Sequence, residues 1–164
     1  MNLDEFNQAS AAEAQQAIAH CVALPDWIAS LVAARPWRSL DALLVVADGL
    51  AQRWDGVALS RALSAHPRIG ERAAGAGKEA QLSRQEQGEV NEADALLTQA
   101  LAACNAAYER RFGRVFLIRA KGRSGEQMLA ELQRRLQNEA PQEQREALHQ
   151  LREITLLRLK ETFL

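Results

Sequence analysis

The sequence predicts an all-α fold: a single-domain helical bundle over residues 1–164, interrupted by one short irregular extended connector. Three observations carry this expectation. Ser10-x-x-Glu13, Ser83-x-x-Glu86 and Ser124-x-x-Gln127 read as capping boxes, in which two side chains satisfy each other's backbone N–H at a helix start. Apolar residues keep helical spacing through most segments between the turn signals. The chain of 164 residues is one domain's worth of material, and it displays neither an internal repeat nor a second hydrophobic core.

The elements follow in order. Ser10 opens a helix through about Val22, with Ala14, Ala17, Ile18, Cys21 and Val22 on one face. Pro25 suits the first turn of a short helix carrying Trp27, Ile28, Leu31 and Val32, which Pro36 ends. From Ser39 a helix runs to about Arg53 on the stripe Leu40, Leu43, Leu44, Ala47 and Leu50. Asp55-Gly56 then turns the chain into a short helix near Val57 to Leu63. His66-Pro67 makes a stiff corner, because a proline disfavours the helical region for the residue before it. Gly70 to Ala80, rich in Gly, Ala, Lys and Glu, reads as a mobile surface loop and a lid. A long central helix is expected from Ser83 to about Arg110, with Val90, Ala93, Leu96, Leu97, Ala100, Leu101 and Cys104 along its buried side. The β-branched and aromatic run from Phe112 to Ala120 favours extended backbone and is read as a mostly buried connector. Lys121-Gly122-Arg123 turns into a helix from Ser124 to about Asn138. Pro141 begins the last helix, whose Leu148, Leu151, Ile154 and Thr155 face the bundle, with Arg158 one turn further along the stripe.

Composition narrows the function. A net charge of −1 from 20 basic and 21 acidic side chains gives no bulk electrostatic reason to expect nucleic acid or an acidic membrane. A small-molecule partner is the expectation. Cys21 and Cys104 form no CxxC pair, which suits thiols in a reducing compartment, and adjacent His20 and Cys21 point about 100° apart on a helix, unsuited to one tetrahedral metal. No apolar run reaches the roughly 18 residues of a membrane span, and no charged n-region precedes a hydrophobic segment, so the expected address is cytoplasmic.

Each residue with chemical potential has a plain structural alternative. His66 is a turn residue or a proton-transfer group on a stiff mount. Ser83 and Glu86 cap a helix, and with Gln87 beside them the same helix end can face a ligand carboxylate or carbonyl. If the 70–80 loop brings His66 and Glu86 together, a histidine oriented by a carboxylate results. Arg119, Lys121 and Arg123 are a solvated charge run, or they mark irregular backbone whose N–H and C=O groups bind amide-like ligands. Arg158 either snorkels to solvent, the favoured reading, or meets a carboxylate of the protein or a ligand. His20 and His149 lie within helices and have no special mount.

The ordered set Ala65-His66-Pro67-Arg68-Ile69-Gly70, Ser83-Arg84-Gln85-Glu86-Gln87, Arg111-Phe112-Gly113 with Phe116-Leu117-Ile118, and Lys121-Gly122-Arg123-Ser124 resembles the 2-oxo-4-hydroxy-4-carboxy-5-ureidoimidazoline (OHCU) decarboxylases. The Ala34-Arg35-Pro36-Trp37 turn and the ending Ile154-Thr155-Leu156-Leu157-Arg158-Leu159 extend the resemblance over nearly the whole chain. It implies an all-helical homodimer that converts the ureidoimidazoline formed in urate breakdown to (S)-allantoin and carbon dioxide, without metal or organic cofactor. Carried over residue by residue, it makes His66 the catalytic acid/base and aligns Glu86 with the acidic position of the motif. Pro67, Ser83, Gln87, Phe116, Leu117, Ile118, Arg119 and Ala120 surround the substrate, Arg119 through its backbone only; Arg158, from its position in line with the apolar stripe of the last helix, is a further candidate substrate contact.

These residue types suit the reaction. Loss of carbon dioxide leaves an electron pair on the ring carbon, and the adjacent ring C=N accepts it when its nitrogen is hydrogen-bonded or protonated. Proton placement is then the enzyme's task. The competing class is a helical adaptor whose Trp27, Trp37 and Trp54 serve packing or dimerisation and whose His66 is incidental. A related ureide hydrolase or racemase is the alternative within enzymology.

Overall fold

The computed structural model describes residues 1–64 and 95–164. Among them lie eight helices and no strand: α1 (Leu3–Gln8), α2 (Ala11–Ile18), α3 (Pro25–Ala33), α4 (Leu40–Ala51), α5 (Gly56–Leu63), α6 (Ala95–Phe112), α7 (Gly125–Arg135) and α8 (Ala140–Thr162). The all-α class is as expected. The corner at His66, the 70–80 loop and the capping box at Ser83 lie outside the described residues. The chain divides into two compact units, Met1–Ala62 with Arg152–Leu164, and Leu63–Leu151.

The first unit opens with a helix the sequence reading missed. Asn2 caps α1 by a full capping box: its Oδ1 accepts from Glu5 N–H at 2.8 Å, while Asn2 N–H donates to the Glu5 carboxylate at 3.3 Å. Ser10 caps α2 as expected, but the Glu13 carboxylate accepts from the Ser10 hydroxyl at 2.9 Å instead of from its backbone. The helix stops at Ile18, short of Val22, and His20 lies in the turn that follows rather than within the helix. Cys21 and Val22 stay buried even so.

Pro25 sits in the first turn of α3, and Ser39 and Asp55 accept from the N–H groups of Ala42 and Ala58 at the starts of α4 and α5. Phe6, Ile18, Leu31, Leu43 and Leu59 are fully enclosed. The Ala34–Trp37 turn is clamped by Asn7, which exchanges two 2.8 Å bonds with Trp37 backbone groups. Arg35 binds the carbonyls of Phe6 (2.8 Å) and Ala9 (2.7 Å) and so closes the end of α1. Trp27 and Trp37 turn their indole N–H groups inward, to Ala47 O (3.1 Å) and Leu31 O (2.9 Å).

The second unit is built on α6, α7 and the first part of α8. Leu101, Tyr108, Phe116, Ile118, Met128 and Leu132 form its core. The stripe of α6 runs through Leu97, Leu101, Asn105 and Tyr108; Leu96, expected on that side, is 73% exposed. Leu96 precedes Leu97 by one position, about 100° of helix rotation, and Leu97 is the one of the two that faces the core. Ser124 and Gln127 make the expected capping box of α7, with bonds of 3.1 and 2.8 Å. On α8 the expected face is observed at Leu151, Ile154 and Thr155, and it continues back through Ala147 to Glu143.

Candidate functional site

Of the residues the sequence singles out, His66, Pro67, Ser83, Glu86 and Gln87 lie outside the described part. Phe116, Leu117, Ile118, Arg119 and Ala120 form one continuous segment in the second unit, whereas Arg158 belongs to the first.

The connector starts where α6 cannot continue. Gly113 takes φ +72°, a left-handed conformation open to glycine, and its N–H closes the helix on Glu109 O at 2.8 Å. Residues 115–120 then carry no regular secondary structure, and Phe116, Leu117 and Ile118 are buried in succession. It ends at a turn in which Gly122 adopts φ +83° and Arg123 N–H bonds Ala120 O at 3.1 Å, delivering the chain to the Ser124 cap.

Two side chains hold one edge of this segment. Arg135 donates to Leu117 O at 2.7 Å, and Gln150 Oε1 accepts from Arg119 N–H at 2.8 Å. Among the described residues, no hydrogen bond engages the N–H or C=O of Phe116 or Ile118 on the other edge. The Arg119 side chain folds onto the following turn and donates to Lys121 O at 2.6 Å.

Arg135 is 1% exposed and is fixed by a buried polar cluster. Its guanidinium grips the Glu143 carboxylate through Nε (3.0 and 3.1 Å) and a terminal nitrogen (2.5 Å), and it lies over the Phe116 ring, 4.4 Å from the centroid. Glu143 also accepts a short bond from the Tyr108 hydroxyl and one from the Asn138 amide at 3.2 Å. Burial, and then the bond to Glu143, pushes the Tyr108 phenol well above its ordinary range, so it stays a donor. Nearer the surface, bonds from Arg134 hold the Glu146 carboxyl below the usual carboxylate range.

Sequence reasoning missed Arg135, Glu143 and Gln150. A signal was available for two of them: Arg135 continues the Met128–Leu132 stripe of α7, and Glu143 precedes Ala147 and Leu151 at helical spacing on α8. Opposite charges on two successive apolar stripes mark a pair that must meet.

The reading of Arg158 as a snorkelling residue is overturned. It is 2% exposed, and a terminal guanidinium nitrogen donates to His20 O at 3.3 Å. The burial has a physical cause in its register, since Arg158 lies one turn beyond Ile154 and Thr155 on the buried face of α8. His20 is buried beside it. The Thr162 hydroxyl donates to Arg158 O at 2.8 Å, so in its 2.8 Å contact with His20 it accepts, which puts a proton on His20 Nε2.

Among the described residues no three His, Cys, Asp or Glu side chains cluster closely enough to share a metal ion, and no helix is long and apolar enough to cross a membrane.

The comparisons agree with this architecture. The fold is similar to that of an OHCU decarboxylase crystallised in the presence of (S)-allantoin, with 26% identity and a TM-score of 0.75 over 90% of this chain and 97% of that one. It is also similar to a crystal structure of (S)-allantoin synthase, with 16% identity and a TM-score of 0.71 over 99% of this chain and 54% of that one, a likeness of fold alone. No curated protein matches the chain. A model of the OHCU decarboxylase family, however, matches residues 7–160, from within α1 to near the end of α8. With nearly its whole length accounted for in this way, the chain belongs to the OHCU decarboxylase family of carboxy-lyases.

Proposed function

We propose that the protein, as one domain over residues 1–164, converts OHCU to (S)-allantoin and carbon dioxide in urate breakdown, with no metal or organic cofactor. The observation that carries this reading is the family match over residues 7–160, joined to the order of the His66-Pro67, Ser83–Gln87, Phe116–Ala120 and Arg158 motifs. The adaptor reading falls with it. Trp27 and Trp37 are engaged in packing, their indole N–H groups bonded inside the first unit.

In the mechanism we favour, the carboxylate C–C bond breaks and its electron pair passes to the ring carbon and on into the adjacent C=N. His66, oriented by Glu86, protonates the nitrogen of that C=N; the hydroxyl on the decarboxylated carbon then gives up its proton as a ring carbonyl forms, and a proton is delivered to one face of the neighbouring carbon of the former C=N, giving the (S) product. Ser83, Gln87 and Pro67 border the ring and its ureido arm. Arg158, on the buried face of α8, is a further candidate substrate contact.

The connector geometry supports a backbone role for Phe116–Ala120. Buried backbone groups nearly always have partners, and the Leu117 carbonyl and Arg119 amide have theirs in Arg135 and Gln150. The groups of Phe116 and Ile118 are the ones suited to the donors and acceptors of a ureido arm, with Leu117 and Ala120 lending shape. We further propose that the protein works in the cytoplasm as a homodimer on this small-molecule substrate, with neither nucleic acid nor membrane as partner.

The deciding experiment generates OHCU freshly from urate with the two preceding enzymes and follows the circular dichroism of allantoin. Rapid growth of a single-handed signal is expected; a rate and racemic product equal to the enzyme-free control would remove the proposed activity. His66→Ala should lower turnover about 10²- to 10⁴-fold, the usual worth of a positioned acid/base. Near wild-type turnover would reassign the proton transfer.

A further inference from the structure

We propose that Arg135 and Gln150 are positioning residues for the reaction: they anchor the Leu117 and Arg119 edge of the connector so that the Phe116 and Ile118 edge is presented to the ureido group. This rests on the reading above that the connector touches substrate.

A segment without helix or sheet has no ladder of its own to fix where its peptide groups point. Bonds to the Leu117 carbonyl and the Arg119 amide supply what is lacking, because two attachments two residues apart limit how the peptide groups between them can turn. Both anchors are themselves held. Gln150 lies on α8, while Arg135 is locked by the Glu143 fork, by the Tyr108 and Asn138 bonds to that carboxylate, and by the Phe116 ring beneath its plane.

Stability alone gives this arrangement little reason to exist. Apolar side chains of similar volume replace a buried Arg–Glu pair at little or no cost in stability in many proteins. An apolar core, however, has no directional bond with which to hold the Leu117 carbonyl. A displacement of about 1 Å in a substrate-positioning group can lower a rate on the order of 10²-fold, so this geometry bears directly on turnover.

The test uses the full chain. Amide NMR of the wild-type protein during titration with (S)-allantoin first asks whether the Ile118 N–H feels the ligand. Gln150→Met removes the acceptor for Arg119 N–H, while Gln150→Glu keeps one; Arg135→Lys keeps the charge but cannot hold Glu143 and Leu117 O together. For Gln150→Met the expected result is about tenfold weaker (S)-allantoin binding and a raised KM for OHCU, the size of one lost hydrogen bond. Gln150→Glu should restore both, and the thermal midpoint should hardly move. Arg135→Lys should show the same binding defect or a larger one.

If the wild-type Ile118 amide responds but Gln150→Met and Arg135→Lys bind and turn over like wild type, the positioning role is wrong and the connector reading survives. If (S)-allantoin binds and the Ile118 amide does not respond, the connector reading fails and this inference with it. Should Arg135→Lys fail to fold, the Gln150 pair still decides.

Discussion

The two units handle buried polar groups differently. In the first, the donors of Trp27, Trp37 and Arg35 go to main-chain carbonyls at or near helix ends, around an apolar centre of Phe6, Ile18, Leu31, Leu43 and Leu59. In the second, a fully enclosed carboxylate, Glu143, gathers Arg135, Tyr108 and Asn138. The first arrangement closes helices, which any small bundle requires. The second braces a non-helical segment, which helix packing does not require. The enclosed ion pair therefore stands beside the segment that departs from regular structure, whereas the buried Arg158 of the first unit, like Arg35, donates to a main-chain carbonyl.

Three substitutions sharpen or break this contrast. The largest effect is expected from Glu143→Ala, which leaves a buried guanidinium uncompensated and should destabilise the protein by about 3–5 kcal/mol in thermal or urea unfolding. A loss below about 1 kcal/mol would mean that water reaches Arg135 and that the cluster is less enclosed than its burial suggests. In the first unit Leu43→Ala should cost about 2–5 kcal/mol by opening a cavity. Turnover per folded molecule should be preserved there, as checked by active-site titration.

The smallest effect is that of Tyr108→Phe, about 1.5–3 kcal/mol for a hydrogen bond to a charged group. It also carries a pH signature. Because burial and the Glu143 bond raise the folded phenol, the unfolded chain releases this proton first. The stabilisation is complete below about pH 10, the ordinary phenol value, and drains away as pH climbs from there through the folded value. Tyr108→Phe should flatten that alkaline decline; an unchanged slope above pH 10 would place the titration elsewhere.

Much of the fold was legible because its elements announce their own ends. Ser10, Ser39 and Ser124 cap helices with their hydroxyls, Pro25 starts one, and Gly122 turns where the connector stops. Helix α1 escaped because six residues are too few to display a stripe, although Asn2-x-x-Glu5 carries the same box as Ser124-x-x-Gln127. Leu96 was misplaced because two adjacent leucines leave the phase of a helix ambiguous. The connector was legible from its β-branched residues, but its supports were not. Arg135 and Glu143 look like ordinary surface charge until the faces of two helices are overlaid, and Gln150 has no signature at all. Arg158 was found by phase and misjudged by type, since a long cationic side chain is expected to reach water. His66 and Glu86 stood out by their His-Pro mount and capping box, but their catalytic roles were read from resemblance, and no helix periodicity would have assigned them.

The placement of the aromatic residues has an optical consequence. All three tryptophans, Trp27, Trp37 and Trp54, lie in the Met1–Ala62 body, and the chain's single tyrosine, Tyr108, lies in the other. Each unit thus carries its own native chromophore, indole emission for one and phenol absorbance for the other. Melting the protein while watching both colours would reveal, without any attached dye, whether the bodies lose their structure in one step or in two. A titration with (S)-allantoin watched the same way would reveal which body its binding tightens.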